Sequence, residues 1–414
     1  MPGRQQIPSF QLPSGTTDER DGSYNLTTVG NIFYNTDTSN VEILHVDPSN
    51  SLDWRDLVVN NKEQIDISGN LTVNSFLKSP IVMTIVPAAL TAYTTYTNSF
   101  YRVHKFMYDS PFTTHEINVT TPGWVHYIAV GGGGAGVNQY WEGGGGGGGG
   151  VISGTRYLGV TDLTNFYEVK VGVGGEKAGS NGGTPTSAVS SWIRGPGIPT
   201  QNETNGSTWE PSAIHAFKGS HAKETLIFSA ATTIATSSTV YTVYYPFIGS
   251  TGGHGKESHR DTQDNRTGGT SSLTSGRSTG LHQGYPGGLG RYQGYTANSS
   301  AGGGGAGGSG QNADAMIGGY FFGGEGGPGK KFTNLGADDE TIILGGGGGG
   351  SSDNYGSHYR VGGAGGGGSG AVNNNQAHTS GIADTGGGGG GGRDNAPDRG
   401  GDGGSGVVYI YYPK

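Results

Sequence analysis

From residue 31 to residue 45, apolar and polar positions alternate in two blocks, NIFYN and VEILH. Ile32 and Tyr34 share one phase, Val41 and Ile43 share the matching phase, and residues 36–40 between them are turn chemistry. The pattern predicts a β-hairpin, with Trp54 as an aromatic anchor covering its apolar face. So short a unit buries little surface by itself and is expected to need a partner chain. Residues 76–122 are rich in Thr, Tyr, Val and Ile. There FLKSPIVMTIV reads as a short buried strand, TAYTTYTNSFYRVHKFMY as an alternating one and FTTHEINV as a third. Pro122-Gly123 is a turn, after which WVHYIAV runs straight into Gly131. No helical periodicity is sustained beyond two turns, so almost no α-helix is expected.

Beyond Thr121 the alternation is repeatedly interrupted by pure glycine, at 131–134, 143–150, 302–305, 345–350, 365–368 and 386–392. Glycine-rich tracts are usually flexible linkers, because glycine loses the most entropy on ordering and has no side chain to bury. Linker glycine, however, is diluted with Ser and charge, whereas these runs are framed by Tyr, Phe, Ile and Val. The alternative is a bundle of polyglycine-II helices, with three residues per turn and no internal hydrogen bonds. Each amide then points sideways and must pair with a neighbouring chain, which the missing Cβ allows to approach closely. All-glycine runs should be enclosed in such a bundle, and Gly-Gly-x runs should lie at its edge with x outward.

Composition supports this picture and removes others. The 414 residues include 86 glycines, with 22 Tyr and 13 Phe but only 14% charged residues. There is no collagen-like Gly-X-Y period, and the chain is too aromatic for ordinary disorder. The expected organisation is an N-terminal β-hairpin module at 1–75, a β-rich linker region at 76–122 and a glycine-rich domain at 123–414 with an insertion at about 188–300. The fold class is therefore mainly β plus irregular structure, with packed polyglycine-II helices flanked by strands. The absence of cysteine excludes disulfides, and a net charge of −8 gives no electrostatic reason to expect nucleic acid. The N-terminus has no apolar h-region and no apolar run is long enough for a bilayer, so synthesis without secretion and no membrane insertion are expected.

Two stretches resemble bacteriophage virion proteins. The sequence G-T-T-x-E-R at 15–20, then G-x-I-x-Y-N-T-D-T at 30–38, then Val41-Glu42 and Trp54, resembles a small N-terminal module of tail fibres and other appendages. That module is associated especially with phages of cyanobacteria and marine bacteria. It implies attachment to other virion proteins, with Ile32, Tyr34 and Trp54 as candidate attachment residues. FTTHEINVTTPGWVHYIAVGGGGAG, then FYEVKVGVGG, NGGTPTS and the closing GVVYIYY at 406–412, resembles the glycine-rich domain of phage tail proteins. It is also similar to the glycine-run adhesins at the tips of T-even long tail fibres. There, variable segments between glycine motifs contact the host receptor. A large insertion after Ser187 departs from the family pattern.

What the resemblance implies is a virion appendage, a tail fibre or tail-tip adhesin, that binds a host-surface glycan or outer-membrane protein without catalysis. A structural head fibre, decoration or neck appendage is the alternative. Assembly in the host cytoplasm and a homo-oligomer, with a trimer favoured, are further family expectations. Loops held on a rigid scaffold are free to carry contacts, and Tyr, Asn, Ser and Arg suit adaptable recognition. The candidate binding residues are Tyr285, Arg291, Tyr292, Tyr295, Tyr355, Tyr359, Asn373 and Asn374, with packing on the outer glycine helices an equal alternative for Tyr285, Tyr292, Tyr355 and Tyr359. The rings of Tyr320, Phe321 and Phe322, closely flanked by glycine, read instead as packing on outer glycine helices.

Catalytic and metal motifs fail on context. GxGxxG matches lack the following helix of a dinucleotide fold, and GVGGEKAGS lacks the ending of a phosphate loop. Eleven histidines occur without zinc-enzyme spacing. Asp394, Asp398 and Asp402 match neither an EF-hand nor a calcium nonapeptide and read as a solvated turn. No enzyme, cofactor or metal is expected.

Overall fold

The computed structural model describes the backbone of residues 14–15, 32–35, 40–46 and 52–56 in the N-terminal part. Beyond these it describes 81–86, 90–110, 114–137, 143–162, 164–178, 185–198, 214–221, 231–236, 239–244, 250, 252, 283–288, 290–292, 298–317, 320–352, 360–372, 377–393 and 400–414. The chain divides into two compact units, residues 1–74 and 75–414.

The first unit is a four-stranded sheet ordered β1-β2-β3-β4. Its strands are β1 (Ser14–Gly15), β2 (Ile32–Asn35), β3 (Asn40–Val46) and β4 (Leu52–Asp56). The hairpin pairs as its alternation requires, Ile32 opposite Ile43 and Tyr34 opposite Val41. Trp54 belongs to a further antiparallel strand, opposite Leu44. The side chains of Ile32, Tyr34 and Trp54 lie outside the described residues.

The second unit is a β-sandwich from which glycine helices grow. Its strands are β5 (Val82–Val86), β6 (Tyr93–Thr97), β7 (Tyr101–Met107), β8 (His115–Thr121), β9 (Gly123–Val130), β10 (Val151–Leu158), β11 (Tyr167–Lys170), β12 (Ser191–Arg194) and β13 (Ile214–Ala216). Then come the hairpin β14 (Ala231–Thr236) with β15 (Thr239–Tyr244) and the short pair β16 (Arg291–Tyr292) with β17 (Asn298–Ser299). The pairs β18 (Asp314–Ile317) with β19 (Tyr320–Phe322) and β20 (Lys330–Phe332) with β21 (Ile342–Leu344) follow, and β22 (Val407–Pro413) closes the chain. One sheet is ordered β10-β9-β22-β7-β6 and the other β13-β12-β11-β8-β5.

Alternation explains the layers, because successive strand residues face opposite sides. In β22, Val408, Ile410 and Tyr412 enter the core between the sheets with Phe106, Ile117, Val119, Tyr167 and Val169. Val407, Tyr409 and Tyr411 face the other way, where Leu335, Leu344, Phe332 and Ile342 of the β20–β21 hairpin and its loop cover them. Residues 76–122, expected as a linker region, thus supply β5–β8 to both sheets of this unit. Similarly, β12 and β13 lie within the stretch read as an insertion from 188, yet they are sandwich strands. TAYTTYTNSFYRVHKFMY is two strands rather than one. The Asn98 carboxamide turns the chain between them by accepting from the N–H groups of Phe100 and Tyr101.

Where a strand meets glycine, the ladder becomes a polyglycine-II lattice. In the run 143–150, Gly143, Gly146 and Gly149 donate to Gly392, Gly389 and Gly386. Gly145 and Gly148 donate to Ala301 and Gly304, while Gly147 and Gly150 donate to Ser220 and Phe217. Every third N–H meets the same neighbour, at 2.7–3.2 Å, as a helix of three residues per turn requires. The run 386–392 is likewise surrounded by six segments, 131–137, 143–150, 345–350, 366–371, 379–382 and 400–406. Runs 143–150, 345–350 and 386–392 pair with one another at the centre and are buried throughout.

A pure run at 365–368 is only half-buried, against the expectation that all-glycine runs are enclosed. Gly365 and Gly366 turn the chain at φ +100° and +93°, where a Cβ is disfavoured. A Cβ on Gly367 or Gly368 would overlap the carbonyl of Gly347 or Thr379. Turn geometry and inward contacts therefore require glycine at an edge.

Candidate functional site

The polarity of the bundle follows from which glycine segments continue which strands. β9 leads into 131–137, β21 into 345–350, and segments 143–150 and 400–406 lead back into β10 and β22. One end of the bundle is therefore fixed to the sandwich. Two polar side chains peg this junction. Ser191 Oγ donates to Val130 O at 2.6 Å and accepts from Gly172 N at 2.8 Å. Gln283 accepts from Phe217 N and donates to His215 O, both at 2.7 Å.

Six steps from 131 to 137 at ~3.1 Å each carry the chain roughly 19 Å to the opposite end. The segments are tied together again at that tip. Val137 N donates to Gly144 O, Gly392 N to Val137 O, Gly143 N to Gly392 O and Ser351 N to Gly143 O. Ser300 N donates to Ser351 O, and Ser352 bridges both Ser299 and Val372. Ser351 Oγ also donates to Gly143 O at 3.1 Å. Short turns face the sandwich, such as 364–366 and 383–386, whereas segments leading into 138–142, 353–359, 373–376 and 394–399 start and finish at the tip.

This placement sorts the predicted binding residues. Arg291 and Tyr292 are in β16, which pairs with β17 next to the tip residue Ser300, and their side chains lie outside the described residues. Tyr295, Tyr355, Tyr359, Asn373 and Asn374 also lie outside the described residues, within segments whose described flanks are tip residues. Tyr285 is different. Its N–H donates to Gly305 O on the flank of the bundle, and its side chain is 41% exposed. Of the rings expected to cover glycine, Phe322 lies 4.8 Å beneath the Arg360 guanidinium, which also pairs with Glu325 at 3.7 Å. The side chains of Tyr320 and Phe321 lie outside the described residues.

Asp402, weighed as a metal ligand, accepts from Lys177 N at 2.7 Å, a structural tie between two outer segments. Asp394 and Asp398 lie outside the described residues. Among the described residues no group of three or more His, Asp or Glu is placed to hold a metal, and no helix is long and apolar enough to cross a membrane.

Sequence reasoning missed an aromatic cluster on the sandwich of the second unit. Tyr101 and Tyr411 meet edge-on at 5.1 Å, and His126 stacks on Tyr411 at 5.1 Å. Burial lowers the His126 pKa and raises that of Tyr411, so both are neutral at pH 7. The alternation of GVVYIYY marks Tyr411 as outward-facing, but the hairpin that borders it comes from residues far away in sequence.

The family model for a glycine-rich domain matches residues 218–413. No curated protein matches the chain.

Proposed function

We propose that the chain is a phage virion appendage that binds a host-cell surface through segments presented at the tip of its glycine bundle. The observation carrying this reading is the division of the bundle's ends. Short turns such as 364–366 and 383–386 face the sandwich, while 138–142, 353–359, 373–376 and 394–399, rich in Asn and Tyr, are flanked by tip residues. The segment 253–282 is flanked instead by Gly252 and by Gln283 at the sandwich junction. A lattice knit by backbone amides fixes the described flanks of those segments, and segments anchored on a rigid scaffold with Tyr, Asn and Arg suit adaptable recognition. Binding is non-catalytic and is multiplied by copy number, since several weak contacts on one particle act at high effective concentration. The first unit is the attachment to other virion proteins.

The test uses the labelled full-length chain on a panel of marine and cyanobacterial cells. Saturable binding, competed by unlabelled chain, is expected on a subset of strains. Uniform non-saturable retention across all strains would sink the adhesin reading and favour a structural head or neck appendage.

A further inference from the structure

The two sheets of the sandwich end on one flank at β5 and β6, while β10 and β13 meet at the other. Neither VMTIV of β5 nor YTTYT of β6 carries a charged residue or a proline, the usual devices that keep an edge strand from pairing. Among the described residues no strand pairs with the free side of β5. Which of its amides face that side follows from β8. Thr161 N donates to Val119 O at 3.0 Å and Val119 N donates to Thr161 Oγ1 at 2.8 Å, so Val119 turns its backbone away from β5. Met83 lies opposite Val119, and Ile85 lies opposite Ile117 in the same phase. Pairs of an antiparallel ladder alternate, so the N–H and C=O of Met83 and Ile85 point outward from the sheet's edge. β5 itself is regular, because the extra residue at the register shift is Thr120 of β8. Met83 and Ile85 pack their side chains against the core, whereas Val82, Thr84 and Val86 are exposed.

We propose that β5 is a dimerisation edge, pairing antiparallel with β5 of a second copy about a twofold axis through Thr84. Any strand could offer its backbone to this edge, but the order of side chains singles out a second copy. VMTIV reads aliphatic, aliphatic, Thr, aliphatic, aliphatic in both directions. With Thr84 set opposite Thr84, Met83 falls opposite Ile85 and Val82 opposite Val86. Met83 and Ile85, whose amides point outward, then exchange ladder bonds across the axis. Thr84 forms a close pair without ladder bonds, the arrangement in which Thr–Thr and β-branched side chains contact each other best. A slip of one residue would set Thr84 opposite Met83 and bring core-facing side chains to the outer face, so the register is specified. The twofold closes the assembly at two copies and joins two five-stranded sheets into one. This pairing differs from the trimer that the resemblance implies, and it stands whether or not the bundle tip binds cells.

The test is analytical sedimentation of the full-length chain from about 1 to about 300 μM. A reversible monomer–dimer equilibrium is expected, with a dissociation constant on the order of 10 μM, as for interfaces at the small end of the range. Thr84 is exposed, so Thr84→Lys, which sets like charges on the axis, should leave melting within about 2 °C of the parent. It should weaken the dimer at least tenfold. The chain has no cysteine, so Thr84→Cys introduces a single thiol. Opposed residues of a pair without ladder bonds lie close enough for a disulfide, so mild oxidation should give a covalent dimer. Thr120→Cys, exposed on the neighbouring strand, should stay uncrosslinked at the same concentration. A chain that is monomeric to about 300 μM overturns the proposal, as does a dimer or trimer that withstands Thr84→Lys. A dimer that Thr84→Lys dissociates but Thr84→Cys does not crosslink overturns the axis through Thr84. A dimer that binds no cells would overturn the tip reading alone.

Discussion

At the residue scale the lattice makes some glycines irreplaceable and leaves others free. A Cβ on Gly388 would overlap the Gly146 carbonyl, 2.7 Å from its carbon, and would lie 2.9 Å from Gly348 N. All three atoms belong to backbone in the central runs, so no rotamer change relieves the clash. Gly388→Val should destabilise by at least about 4 kcal/mol, at the extreme of single substitutions. Gly159 is the control, because its Cβ would meet only Tyr167 Oη at 3.9 Å. Gly159→Ala should be neutral or stabilise by up to about 1 kcal/mol through the unfolded chain. Paired urea melts check both, and equal midpoints would place residue 388 outside any lattice. His104 supplies a second residue-scale prediction. Its ring lies between Tyr93 Oη at 2.7 Å and Tyr412 Oη at 3.3 Å, and burial lowers its pKa to about 4. The unfolded value is about 6.5, so the unfolded chain binds the proton more tightly. This contribution is full above pH 6.5 and is lost as pH falls toward 4, about 3 kcal/mol in all. Stability measured from pH 7 to pH 4 should fall accordingly, and His104→Gln should flatten that part of the profile.

At the element scale, the glycine helices are held by amide pairing rather than by apolar burial. Each bond contributes only about 0.5–1.5 kcal/mol net, but an enclosed N–H left unpaired costs about 1–3 kcal/mol, so the bundle orders as a unit. Amide exchange monitored by mass spectrometry should therefore show peptides spanning 143–150, 345–350 and 386–392 as protected as the sandwich strands. Exchange at linker rates in those peptides would refute the lattice. At the junction, Gln283→Ala removes the buried bonds to Phe217 N and His215 O and should cost about 1–3 kcal/mol in urea melts. Elements were readable in the sequence where side chains carry a period or where glycine is pure. The hairpin of β2 and β3, the closing strand and the enclosure of the long runs belong to this class. β12 and β13, of four and three residues, were hidden because so short a segment has no measurable period. The order of neighbours in the lattice is illegible for a deeper reason. Glycine has no side chain with which to encode a partner, so register is set by run length and by where the flanking strands start and end.

At the scale of the unit of residues 75–414, the end where strands enter the glycine lattice is distinct from the end that flanks the segments proposed for recognition. Strands at one end fix where each glycine segment enters. The lattice carries that registration to the tip, where Ser299, Ser300, Ser351, Ser352 and Val372 are tied together by backbone. A segment leaving Val372 and returning at residue 377 therefore has fixed endpoints whatever its sequence. Ala371 N already pairs with Gly391 O, and Thr379 N with Ser369 O, on the two sides of it. Loop closure between anchored ends is insensitive to composition at constant length. Replacing residues 373–376 by Gly-Ser-Gly-Ser should thus change stability by no more than about 0.5 kcal/mol, as surface substitutions do. The same exchange removes Asn373 and Asn374 and should reduce saturable cell binding several-fold. Melting and cell-binding isotherms on the one variant separate the outcomes. A large loss of stability would make the segment part of the lattice. Unchanged stability with unchanged binding would remove it from the recognition surface and leave the other tip segments, at 138–142, 293–297, 353–359 and 394–399, to make the contact.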